Sequence, residues 1–256
     1  MFKKGILVTV LASFVILVVG CGNAETSNTE ALSLLQKSHE AMEDVTSMIT
    51  EFDAEISVNA GFMSMDMPMS GRTYISANSD TDISMATMTT MSMMGMDMEM
   101  EMYFRDGYMY IDADGFRMKE PMDLELALEE MATSGVNVDF DLNEDWINSM
   151  SAEAVGSGHR LTFELNMEAL AEVMGPQGDV LGLGLDDTDA LGDVDIRSFV
   201  LTIYIDENYI QTSTQMQLDM SIEAEGIEME MTMNMTSDII QIDDVIIDFP
   251  AWLDEL

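Results

Sequence analysis

Over most of this chain, apolar side chains recur at every second position, and no other feature narrows its fold so far. In MITEFDAEISVNA, residues 48–60, Met48, Thr50, Phe52, Ala54, Ile56 and Val58 alternate with Glu51, Asp53, Glu55 and Ser57. Successive residues of a strand point to opposite faces, so this is the pattern of a sheet that is apolar on one side and wet on the other. The alternation returns at Met63, Met65, Met67 and Met69, and again over 71–78 and 82–94, two runs parted by the turn-prone NSD at 78–80. In the stretch MSMMGMDMEMEMY, residues 91–103, it places Met96, Met98, Met100 and Met102 on one face and Asp97, Glu99 and Glu101 on the other.

Turn chemistry sets the pairing. Asp106-Gly107 between two alternating runs marks a two-residue hairpin, which pairs Phe104 with Met109 and Met102 with Ile111. Asp114-Gly115 marks a second turn, into a short strand ending near Lys119, and Gly156-Ser157-Gly158 turns a hairpin within 151–165. In the last third Phe199, Leu201, Ile203 and Ile205 alternate up to a turn at Asp206–Asn208. Met216, Leu218, Met220 and Ile222 follow, then a turn near Gly226, then Ile227, Met229, Met231, Met233 and Met235. The final residues, 239–256, read as an edge strand stopped at Pro250.

The helical period is confined to fewer places. Ala31, Leu34, Leu35, Ser38, Met42 and Val45 form one apolar stripe behind the capping-box pattern Ser27-x-x-Glu30, which predicts a helix over 29–47. Residues 122–134, 143–149 around Trp146 and Ile147, and 167–174 before Gly175-Pro176 are also expected to be helical, and 176–193 to be a Gly/Asp-rich loop. Tight turns between strands with few helices among them argue for an α+β fold on an antiparallel sheet. Such a sheet must cover its apolar face by curling or by packing helices on it, and 29–47 and 122–150 are the covers available.

The first twenty residues stand apart from this pattern. Lys3 and Lys4 precede the apolar run 6–19, then Gly20 and Cys21, the form of a secretory signal too short to span a membrane. VVGC at 18–21 resembles the bacterial lipobox, so Cys21, the single cysteine, is expected to be acylated and to become the mature N-terminus. Residues 21–28 would form the anchor and a small polar tether, and 29–256 the folded domain, a monomer, on the outer face of a cell membrane.

Composition removes several functions. The chain carries 49 acidic and nine basic residues, a formal net charge of −40, and two of those basic residues lie in the signal segment. That charge excludes binding to a nucleic-acid backbone and opposes lying flat on an anionic membrane. It suits a high-salt or alkaline setting, where screening tolerates the repulsion. His39 and His159 are isolated, and the chain has no Ser/His/Asp constellation, no phosphate loop and no Cys/His cluster, so neither catalysis nor a cofactor is expected. DADG at 112–115 and DDTDALGD at 186–193 lack the EF-hand spacing, so the acids read as solvated charge.

The 29 methionines leave three readings. Thioethers suit Cu(I), but methionines at i and i+2 stand about 6.6 Å apart along a strand and do not converge. They can instead fill a core, although strands favour β-branched and aromatic residues. Or they can line a deformable apolar cavity for acyl chains. That ligand face would comprise Phe52, Ile56, Met96, Met98, Met100, Met102, Phe104, Met109, Leu201, Ile203, Met216, Leu218, Met220, Met229, Met231 and Met233.

The lipobox, the helix ALSLLQKSHEAMEDVTSM, the strand ending near Gly61, YFRDGYMYIDADGFRMKEP (103–121) and FVLTIYIDENYIQTSTQMQLDMSIEAEG (199–226) together resemble a known group. They are similar to uncharacterised Gram-positive lipoproteins that share a fold with LolA-like carriers and mycobacterial LppX/LprG-type lipoproteins. The resemblance spans most of 29–249. It implies an open, strongly curved antiparallel half-barrel with helices over its concave face, and binding of lipid or lipidated cargo within it. The departures are the charge, the methionine density and the loop at 176–193.

Overall fold

A computed structural model of the chain describes residues 26–61, 64–79, 82–93, 95–122, 147–166, 193–224 and 227–256. The signal, Cys21, the expected helix at 167–174, all but Met122 of that at 122–134, and all but Asp193 of the loop at 176–193 lie outside these residues.

One helix, α1 (Thr26–Met42), precedes eleven strands: β1 (Ser47–Asn59), β2 (Ser64–Ser79), β3 (Asp82–Met93), β4 (Met96–Arg105), β5 (Tyr108–Ala113), β6 (Phe116–Pro121), β7 (Ile147–Val155), β8 (Gly158–Leu165), β9 (Asp193–Ile205), β10 (Gln211–Ala224) and β11 (Ile227–Ile242). They form a single antiparallel sheet in the order β6-β5-β4-β3-β2-β1-β11-β10-β9-β8-β7. The sheet is open, with β6 and β7 as its edges. It consists of two meanders of sequence-consecutive antiparallel strands, β1–β6 and β7–β11, sewn together where β1 pairs with β11 from Met48↔Ile242 to Asn59↔Glu230.

The hairpins follow their turn residues. Asp106 and Gly107 take φ 54° and 77°, Asp114 and Gly115 take 50° and 86°, the left-handed pair that a two-residue turn between twisted strands requires. The β4–β5 ladder pairs Phe104 with Met109 and Met102 with Ile111, as that turn dictates. At the β9–β10 turn, Asp206 Oδ1 accepts hydrogen bonds from the backbone N–H groups of Asn208 and Ile210, both at 2.8 Å.

Four expectations are corrected. First, 143–149 is not a short helix throughout: Ile147–Ser149 open β7, and Ile147 pairs with Leu165 of β8. Second, 64–79 is one strand where the sequence suggested two. Pro68 is tolerated inside it because the β2–β3 ladder begins only at Met69↔Met91, so the missing N–H of Pro68 faces no β3 partner. Third, 239–242 is no edge strand but the end of β11, in the middle of the sheet. Fourth, α1 spans Thr26–Met42, so residues 26–28 are helical rather than tether, 43–47 are not helical, and Ser27 lies within the helix and not at its cap.

The core is divided between the two faces of the sheet. On one face the predicted stripe of α1, Ala31, Leu34 and Leu35, packs on the second meander, against Leu161, Phe163, Leu201, Ile203, Leu218 and Met220. Met42 and Val45 continue onto Met48 and Ile75. After β11 the chain turns at Asp243 and Asp244, both at positive φ, and is tied to the start of β1. Asp243 N–H donates to the Ser47 carbonyl at 2.8 Å and Val245 N–H to Ser47 Oγ at 3.2 Å. From there 245–256 runs over the opposite face, where Trp252 and Leu253 of a short 3-10 helix (Ala251–Glu255) bury against Ala86, Tyr103 and Tyr110.

Candidate functional site

Directly paired residues of an antiparallel sheet share a face, so the strand registers place every predicted ligand-face residue. The row Met98–Met91–Met69–Ala54–Met235–Met216–Leu201–Phe163–Met150 crosses from β4 to β7 without a polar side chain. A neighbouring row runs Met67–Ile56–Met233–Leu218–Phe199, and the next Met65–Val58–Met231–Met220–Ile196. Further along the strands, Phe52, Ile203, Met100, Met102, Phe104 and Met109 stand on this same face. Met229, two residues before Met231, and Met96, two before Met98, complete the set. All sixteen residues therefore share the α1 side of the sheet.

Their surroundings differ sharply. Leu201, Ile203, Met216, Leu218, Met220 and Met233 are buried in the cluster built around α1, and Ile56, Met229 and Met231 pack against its margin. Here the helix occupies the face. In the first meander, Met42 and Val45 cover the Met48–Ile75 end of this face, and the strand ends around Met96 are more open. Met98, Met102 and Met109 are half-buried there, while Met100 is 38% and Met96 62% exposed. Phe104 is the exception, buried at the foot of the β4–β5 hairpin.

Sequence reasoning left out five residues of this surface: Met65, Met67, Met69, Met91 and Met93, all half-buried. Their alternation was visible, but only the register β2–β3–β4 sets them beside Met96 and Met98. It also left out a belt of small polar residues, Thr50, Thr73, Thr87 and Thr89, across the middle of the same face. Thr73 and Thr87 lie with hydroxyls 3.2 Å apart, so the belt satisfies itself in part.

Beside the patch that Trp252 and Leu253 cover, the opposite face carries polar and charged side chains. An open cleft of about 520 Å³ there is lined by Asp53, Glu55, Ser70, Thr90, Ser92 and Asn234, together with the apolar Ala54, Pro68 and Met69. The arginines serve as counter-charges. Glu51 faces Asp238 across one ladder and Arg72 across the other; Asp112 lies likewise between Glu101 and Arg117. The Arg117 hydrogen bond at 2.7 Å, helped by the Gly115 N–H, holds the Asp112 carboxyl below the usual carboxylate range against its partial burial. Burial first, then the hydrogen bond to Glu101, pushes the Tyr103 hydroxyl well above the usual phenol range, so it donates to Glu101 at 3.0 Å as a neutral group. Among the described residues no group of three or more His, Cys, Asp and Glu side chains could hold a metal ion, and no helix is long and apolar enough to cross a membrane.

Residues 30–251 match the model of the DUF6612 family, a family of unknown function. The chain belongs to that family. No curated protein matches its sequence. Among solved structures, this DUF6612 chain is similar to LprF from Mycobacterium bovis, at 12% identity over 88% of this chain and 99% of that one, with a TM-score of 0.40. A putative outer membrane lipoprotein-sorting protein domain from Vibrio parahaemolyticus is 6% identical over 86% and 95%, with a TM-score of 0.25. A DUF1329 family protein from Desulfovibrio piger is 10% identical over 86% and 95%, with a TM-score of 0.27. The lipoprotein group that the sequence resembles is thus represented among its structural neighbours.

Proposed function

We propose that this chain is an extracytoplasmic lipoprotein, anchored through acylated Cys21, that binds the acyl chain of a lipid or of lipidated cargo on the methionine face of its first meander. The observation that carries this reading is the contrast along one continuous apolar face. Where α1 packs, the face is closed; toward the Met96 end of β2–β4 it stays accessible, with Met96 and Met100 the most exposed. Methionine suits such a surface, because its unbranched thioether side chain adapts to apolar partners of varied shape. The anchor would come from the diacylated cysteine rather than from charge, since a chain of net charge −40 is repelled by anionic headgroups. No catalytic role belongs to this reading.

The ligand face is smaller than the sixteen residues the sequence suggested. Six of them are buried beneath α1, an arrangement that favours the second reading, a structural surface lipoprotein with a filled core, for that half of the sheet. Native mass spectrometry of protein extracted from its own membrane separates the two. Co-purifying lipid, released by Met100→Asp but retained by Thr162→Asp on the opposite face, is the expected result. Bare protein that also fails to take up a fluorescent fatty acid would leave the filled-core reading.

A further inference from the structure

The obstacle to a metal site in the methionine runs was spacing along the strand, and the sheet removes it by pairing across strands. Met91 of β3 is directly opposite Met69 of β2 on one side and Met98 of β4 on the other. Directly opposed residues have Cα atoms about 4.5–5.5 Å apart, closer than the roughly 6.6 Å between i and i+2 on one strand. The neighbouring pair Met93↔Met96 lies two residues further along the same ladder, beside the turn at Gly95. Five thioethers are therefore gathered at one corner of one face, none of them buried, with Met96 62% exposed.

We propose that Met69, Met91 and Met98, with Met93 or Met96 as an additional donor, form a binding site for a soft monovalent cation, Cu(I). Three features select this ion. The donors are neutral, polarizable sulfurs, which favour Cu(I) over oxygen-seeking divalent ions. Each sits on a side chain with three rotatable bonds, so the outer two sulfurs can swing toward the ion held over Met91. The nearby carboxylate of Asp97 is on the other face, where it accepts a hydrogen bond from Ser92, so no hard ligand intrudes. The net charge of −40 raises the local concentration of any cation without specifying one, and the thioethers supply the choice. This site rests on the β2–β3–β4 register and not on the acyl-chain reading.

The test is a competition titration of anaerobic Cu(I) against a chromophoric Cu(I) chelator, on the full domain and on M69L/M91L/M98L. Leucine keeps the apolar volume and removes only the sulfur. Cu(I) affinity is expected to fall about tenfold or more, each tenfold being ~1.4 kcal/mol. M216L/M220L/M233L, which removes three sulfurs buried under α1, is expected to bind like the parent. The proposal is overturned if the parent does not compete with the chelator, if the first variant binds as the parent does, or if the second loses as much as the first. Should M69L/M91L/M98L fail to fold by circular dichroism, methionine-methyl NMR of the parent with Ag(I) decides. Shifts confined to Met69, Met91, Met93, Met96 and Met98 support the site, and shifts scattered over other methionines overturn it.

Discussion

Gly71 shows how a single residue can be misread from sequence and still be indispensable. A glycine inside an alternating run looks like a break, and the sequence divides there into the methionines of 63–69 and the run 71–78. In the fold it is an interior position of β2, paired with Phe52 and Thr89. A Cβ there would meet the Met88 carbonyl oxygen at 2.5 Å and Phe52 Cζ at 2.5 Å. The phenylalanine ring lies over the glycine, filling the space that a side chain would take. Part of the crowding comes from backbone, which cannot swing aside as a side chain can. Gly71→Ala is therefore expected to destabilise the domain by about 1–3 kcal/mol, the usual cost of overpacking. Adding Phe52→Ala to it is expected to relieve only the ring contact, leaving the clash with the Met88 carbonyl. Urea unfolding midpoints check both, and a Gly71→Ala midpoint equal to that of the parent would refute the account.

At the scale of elements, what could be read was what is local. The Asp-Gly turns determine the β4–β5 register through two residues, and the stripe of α1 follows from five positions, Ala31, Leu34, Leu35, Ser38 and Met42, that are all buried in the fold. The segment after β11 has no period to read, and its partners are more than a hundred residues away. Its apolar residues, Ile247, Phe249, Trp252 and Leu253, were the available signal: an apolar group after a strand end, with no strand of its own to join. They cross to the face opposite α1 and cover β3–β5. Trp252 meets Tyr103 edge-on at 5.9 Å and Tyr110 at 6.4 Å, with the Arg117 guanidinium 4.7 Å from its ring centroid. Arg105 reaches Asp254 at 2.6 Å. Trp252→Ala is expected to cost about 3–5 kcal/mol, as for other buried aromatic truncations. The loss should also be local. Hydrogen exchange is expected to quicken in β3–β5 while β8–β10, held by α1 and not by this segment, keep their protection. Equal acceleration in both meanders would show that the segment stabilises the whole sheet and not one end of it.

The whole molecule combines a connection invisible to pattern reading with a charge that any reading finds. Among the described residues every ladder but one joins consecutive strands; the exception, β1 with β11, brings the first and last of these strands together at the centre. Alternation shows which side of each strand is apolar but cannot rank two apolar strands as partners, so this pairing lay beyond the sequence. It has an electrostatic cost, because it sets Glu51 opposite Asp238, as β4–β5 sets Glu101 opposite Asp112. Like charges directly opposed destabilise a sheet, and an arginine on the next strand offsets each pair: Arg72 beside Glu51, Arg117 beside Asp112. With 49 acids and nine bases, most carboxylates have no such neighbour. Salt weakens the few attractions and the many repulsions alike, so the repulsions dominate the response. Thermal stability is expected to rise with sodium chloride and to level off by about 1 M, where the Debye length has shrunk from roughly 10 Å at 0.1 M to about 3 Å. Levelling off separates screening from salting-out, which strengthens burial progressively as excluded salts such as sulfate are added. A melting temperature that stayed flat or fell over that range would remove high salt as the condition for which this surface is built.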